Sequence, residues 1–80
     1  MKLPIIKQLV ETYTLAELTQ AEIAISEGEI PAIEIIGEDE GEQLTHAYAS
    51  AFIRKLIDEQ NMNFQTAMRE YTKMVRETLN

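Results

Sequence analysis

The sequence predicts a mainly α protein, a compact bundle of about four helices, with a short extended segment near residues 32–36 able to pair as a strand. Three observations carry this reading. Apolar residues recur at three- and four-residue spacing along most of the chain. Residues suited to helix starts stand in front of those runs. One stretch, Ile30 to Gly37, breaks the pattern with a proline and a two-residue alternation. The 80 residues, 45% of them apolar, suffice for one domain spanning residues 1–80.

Pro4 suits the first turn of a helix, where its missing N–H costs nothing. Ile6, Leu9, Val10 and Tyr13 then share one face, and the helix is expected to end near Thr12. Thr14 opens the second helix, because Thr14 and Glu17 have the spacing of a capping box. Tyr13 and Leu18 sit where a hydrophobic staple would form. Leu15, Leu18, Ala21 and Ile25 make its stripe, and Gly28 is a suitable stop.

Pro31 and the alternation Ile33-Glu34-Ile35 make the next piece extended. It either forms a short strand, pairing with the same strand of a second subunit, or lays its isoleucines on the helices. Asp39 and Glu42 then repeat the capping-box spacing, and Glu38, Asp39, Glu40 and Glu42 all suit a helix N-terminus. The helix they start runs to about Gln60. Leu44, Ala47, Tyr48, Ala49, Ala51, Phe52 and Ile53 cover most of its circumference, so it is expected to be the central element. Asn61-Met62-Asn63 forms a loop with Asn63 as the next N-cap. Phe64, Ala67, Met68, Tyr71, Met74, Val75 and Leu79 give the last helix its apolar stripe. Arg69, Glu70, Lys73, Arg76 and Glu77 lie on its outer face.

Charge is distributed unevenly. Met1 to Ser50 holds ten carboxylates against two lysines, a net of −8, while Ala51 to Asn80 holds four against five basic side chains, a net of +1; together they give the overall −7. An acidic field of this kind selects basic partners and argues against direct binding to nucleic acid or to anionic membranes. No apolar run approaches the ~18 residues of a membrane span, and the N-terminus has no signal-peptide pattern, so a cytoplasmic location is expected. The chain has no cysteine, which removes disulfides and thiolate zinc sites. A small core without such staples points to self-association, with a homodimer the expected form.

Catalytic constellations are absent. Ser26 and Ser50 are the only serines and neither stands in a nucleophile elbow. The three glycines, Gly28, Gly37 and Gly41, form no phosphate loop, and no cofactor is expected. The candidate interaction residues are therefore Glu38, Asp39, Glu40, Gly41 and Glu42. Glu42 and His46 are four residues apart on one helical face, and with Asp39 or Glu38 they could ligate a metal. A plainer reading makes these acids helix caps and His46 a surface or half-buried side chain. Gly41, inside a first turn, either admits a close neighbour or is simply tolerated there. Tyr48, Phe52, Phe64, Met68, Tyr71 and Met74 either line an apolar pocket or, as is usual at this spacing, form core.

Size and acidity are shared with acyl carrier proteins, but the helix start Gly37-Glu38-Asp39-Glu40-Gly41-Glu42 has no serine to carry their cofactor. Acidic four-helix immunity proteins, which neutralise basic nucleases, match in size and charge, but their paired-tyrosine motif is missing. The stretches Gly37 to His46 and Asn63 to Thr72 resemble a family of small uncharacterised bacterial proteins. That resemblance covers the C-terminal half. It implies a stand-alone helical domain of unknown function with Asp39 to His46 as the first place to look. The expected role is thus a non-enzymatic protein-interaction or oligomerisation module facing a basic partner. Metal binding through Asp39, Glu42 and His46, or inhibition of a basic nucleic-acid-processing protein by mimicry, are its alternatives.

Overall fold

The computed structural model describes residues 1–79, and their side chains through Thr78. Four helices follow one another: α1 (Leu3–Thr12), α2 (Leu15–Ser26), α3 (Glu40–Gln60) and α4 (Phe64–Leu79). α3 is the axis, and α1, α2 and α4 all pack against it. The expected central element is therefore central. The expected place of Leu79 in the α4 stripe lies outside the described side chains.

Local chemistry explains the boundaries. Glu17 donates its N–H to the Thr14 hydroxyl at 3.2 Å and accepts the Thr14 N–H at 2.9 Å, closing the capping box of α2. α2 stops at a Schellman turn: the Glu29 N–H reaches the Ala24 carbonyl at 2.8 Å and the Gly28 N–H the Ile25 carbonyl at 3.0 Å. That turn requires positive φ at Gly28, which adopts +76°. α3 ends at Asn61 in the left-handed conformation, and Asn63 caps α4 by accepting the Thr66 N–H at 2.8 Å.

Two apolar clusters fill the interior from opposite flanks of α3. One joins Leu9 of α1, Leu18, Ala21 and Ile25 of α2, and Ala47 and Ala51 of α3, with Ile35 from the connecting segment. The other joins Ile6 and Val10 of α1, Ala49 and Ile53 of α3, and Ala67 and Tyr71 of α4. The α3 contacts are mostly alanines, whose small side chains let the three neighbours approach closely. Arg54 adds a polar tie: its guanidinium donates to the Val10 carbonyl at 3.1 Å and to Asp58 at 2.7 Å. A cation at the last turn of α1 also complements that helix's dipole.

Residues 32–36 correct one expectation. Among the described residues no strand forms, and pairing of this segment finds no support. The alternation reflects burial instead. Ile35 is buried and Ile33 half-buried against the first cluster, while Glu34 between them faces solvent. The Ile36 carbonyl, which a strand would have offered to a partner, accepts a bond from His46 at 2.7 Å. Among the described residues no helix is long and apolar enough to cross a membrane.

Candidate functional site

The acidic start of α3 is engaged mostly within the protein. Asp39 caps the helix by accepting the Glu42 N–H at 2.7 Å. The Glu42 carboxylate reaches back not to Asp39, as the capping-box spacing suggests, but one residue further, to the Glu38 N–H at 3.0 Å. Glu42 also lies 3.7 Å from the N-terminal ammonium, and Glu38 pairs with Lys2 at 3.3 Å. Glu40 is exposed, and among the described residues no cation lies within ion-pair distance of it.

The Glu38 N–H holds the Glu42 carboxyl below its ordinary value of 4.5; desolvation pushes the other way, and Lys2 and the N-terminal ammonium add smaller downward pulls. A depressed carboxylate favours the folded state above its unfolded pKa and loses that contribution as pH falls through its folded one. Acid unfolding below 4.5 is therefore expected to be shallower in Glu42→Gln than in the native protein. Urea midpoints at neutral pH and at successive acidic pH values check this; equal acid sensitivity in both proteins would refute it.

His46 is fully buried. Its Nε2 accepts the backbone N–H of Lys2 at 3.0 Å. An amide can only donate, so Nε2 bears the lone pair, and Nδ1 carries the proton given to the Ile36 carbonyl. The imidazole thus closes the N-terminus of α1, where the N-cap Lys2 makes no side-chain cap, and pins the connecting segment to α3. Both ring nitrogens are committed, which leaves no lone pair for a metal in this arrangement. Among the described residues no three histidine, cysteine, aspartate or glutamate side chains converge as a metal site would need. Ser50, one turn on, is equally buried, and its hydroxyl donates to the His46 backbone carbonyl at 2.6 Å rather than to the ring. A nucleophile–base pair is not assembled.

Gly41 is not where a neighbour approaches. A Cβ there would meet only the Asp39 carboxylate at 3.4 Å. Gly37 is the tight position: a Cβ there would stand 2.8 Å from the Gln43 backbone nitrogen and 3.1 Å from its Cα. The aromatic residues divide between core and surface. Tyr71 is buried with Phe52 against it, ring centres 5.6 Å apart, while Tyr48 is 40% exposed, its ring tilted against that of Tyr71 at 6.2 Å. Phe64 and Met68 are half-buried and line an open groove between α1 and α4.

Charge and apolar surface meet at the end of α2. The Schellman turn leads directly into Ile30, which is 94% exposed. Beside it a shallow cavity of about 330 Å³ is edged by Glu29, Glu34 and Glu40, with Pro31 fixing the chain at its lip. Of the acidic residues singled out in the sequence, only Glu40 belongs to this surface. Glu29, Glu34 and Ile30 were missed. Their signal was faint: an isoleucine after a helix-stopping glycine, between an acid and a proline.

A family described as a family of unknown function (DUF6952) matches residues 1–80, extending the resemblance noted in the C-terminal half to the whole chain. No curated protein and no solved structure matches.

Proposed function

We propose that this chain, which belongs to that uncharacterised family, is a non-enzymatic cytoplasmic interaction module that meets a basic protein surface through the Ile30 turn. The observation supporting this reading is an almost fully exposed isoleucine framed by Glu29, Glu34 and Glu40. An apolar anchor ringed by charge is the usual anatomy of a contact centre. The isoleucine would fill a pocket on the partner, and the carboxylates would speed and orient the encounter more than deepen it.

The partner is a protein presenting an apolar pocket among lysines or arginines. A basic nucleic-acid-processing protein is one class with such a surface, and competition by DNA for the captured protein would identify it. The test is capture from native lysate with the wild-type chain, Glu34→Lys and Ile30→Glu, each at low and raised salt, read by mass spectrometry. A basic protein is expected with the wild type at low salt. Its recovery should fall about tenfold or more with Ile30→Glu, the loss expected of an anchor side chain. Glu34→Lys and raised salt should each weaken it severalfold. Equal recovery by all three chains at both salt levels would overturn the reading.

A further inference from the structure

The molecule also carries a surface of the opposite character. Between the start of α1 and the first turns of α4 lies an open groove of about 570 Å³ with Leu3, Pro4, Phe64 and Met68 along its floor and Lys7 and Arg69 at its rim. Leu3 is 52% exposed there, although it is a large apolar side chain. The Lys7 ammonium stands 6.0 Å over the Phe64 ring, a cation held above the apolar floor. Among the described residues no carboxylate lines the groove. In a chain of net charge −7 this is a local inversion of the prevailing field.

The Ile30 turn is its complement in both respects. It offers a protruding branched aliphatic side chain where the groove offers an apolar floor, and Glu29 and Glu34 where the groove offers Lys7 and Arg69. We infer that the Ile30 turn of one copy seats in the Lys7–Arg69 groove of a second copy. The inference rests on the reading of Ile30 as a contact residue and adds the groove as its receptor. The two surfaces are built from different elements, the α2–α3 connection and the α1–α4 junction, so each copy holds one of each. The contact is heterologous: made twice it closes a two-fold dimer, and made once per copy it propagates a chain.

A single turn seated in one groove is expected to bury less than the ~1,200 Å² of a standard interface, so association is expected to be weak and concentration-dependent. Salt is a poor probe here, because two chains of net −7 repel at long range while the proposed contact attracts locally. Charge reversal separates the two effects. Sedimentation velocity over about 10 μM to 1 mM, a span suited to a weak contact, would compare the wild type, Ile30→Glu and the double variant Lys7→Glu/Arg69→Glu. All three substituted positions are exposed, so the fold is expected to persist, with circular dichroism as the control.

Each variant alone should sediment as a monomer. An equimolar mixture should recover a complex, joined by one contact and therefore weaker than a doubly joined wild-type dimer, because Ile30→Glu keeps an intact groove and the double variant keeps an intact Ile30 turn. A wild type that stays monomeric throughout, variants that associate like the wild type, or a mixture that stays monomeric would each overturn the inference. The two readings fail separately. A monomeric wild type that still captures a basic protein through Ile30 removes only the self-contact. Self-association obeying the mixing rule, with no foreign protein captured, removes only the foreign partner.

Discussion

Replacing His46 with alanine is expected to remove about 3–4 kcal/mol of stability, a large share of the ~4–12 kcal/mol available to a domain of this size. Three losses combine. The Lys2 N–H and the Ile36 carbonyl both lose their partner, and a buried volume is left empty. Those two groups and His46 itself belong to three separate parts of the molecule, so no single helix can relax to fill the gap. His46→Phe separates the contributions: it restores much of the volume but neither hydrogen bond, and is expected to recover less than half of the loss. Urea unfolding of the three proteins reads the result, and a cost below about 1 kcal/mol for the alanine variant would show that the bonds are replaceable by water. Nitrogen NMR supplies an independent check, since the ring should show its proton on Nδ1. A proton on Nε2 would contradict the Lys2 contact directly.

The second large effect concerns two glycines four residues apart. Gly37→Ala is expected to cost about 2–3 kcal/mol, because its new methyl would press on the Gln43 main chain, which is part of the first turns of α3 and cannot swing aside. Gly41→Ala is expected to be neutral or to stabilise by up to about 1 kcal/mol, because the site is open and alanine is the better helix former. Thermal midpoints should therefore move in opposite directions, or fall for Gly37→Ala alone. A Gly41→Ala protein less stable than Gly37→Ala would reverse the assignment of the close approach.

The difference between these residues marks where the sequence was legible. Thr14 with Glu17, Asp39 with Glu42 and Asn63 with Thr66 act within one helical turn; the N-caps form as expected, though the Asp39–Glu42 box closes on one side only, its Glu42 carboxylate going to the Glu38 N–H. The central place of α3 was also visible, because apolar and small residues surround it. The role of His46 was not, since its partners are main-chain groups, one of them 44 residues away, and any residue type would supply them. Only its burial could have been inferred: His46, Ala49, Ser50 and Ile53 fall at i, i+3, i+4 and i+7 on one buried face. The alternation at Ile33 to Ile35 correctly described which side chains turn inward. It did not say what they turn toward, because helices and a paired strand bury such residues equally well. The acidic run at Glu38 to Glu42 stood out by density, yet density cannot separate carboxylates with internal partners from those left to solvent.

A shaft gripped from opposite sides cannot turn. α3 is held on one flank by α2 and the connecting segment and on the other by α4, with α1 reaching into both clusters. Rotating it to suit one flank would drive its alanines out of register on the other, and packed interiors resist such slippage. The Ile30 turn is anchored to the first flank and the Lys7–Arg69 groove to the second. With the axle locked between them, occupancy of one surface has no torsional route to the other. The two are therefore expected to act as separate fixtures, and an assembly built from them to take its geometry from the monomer.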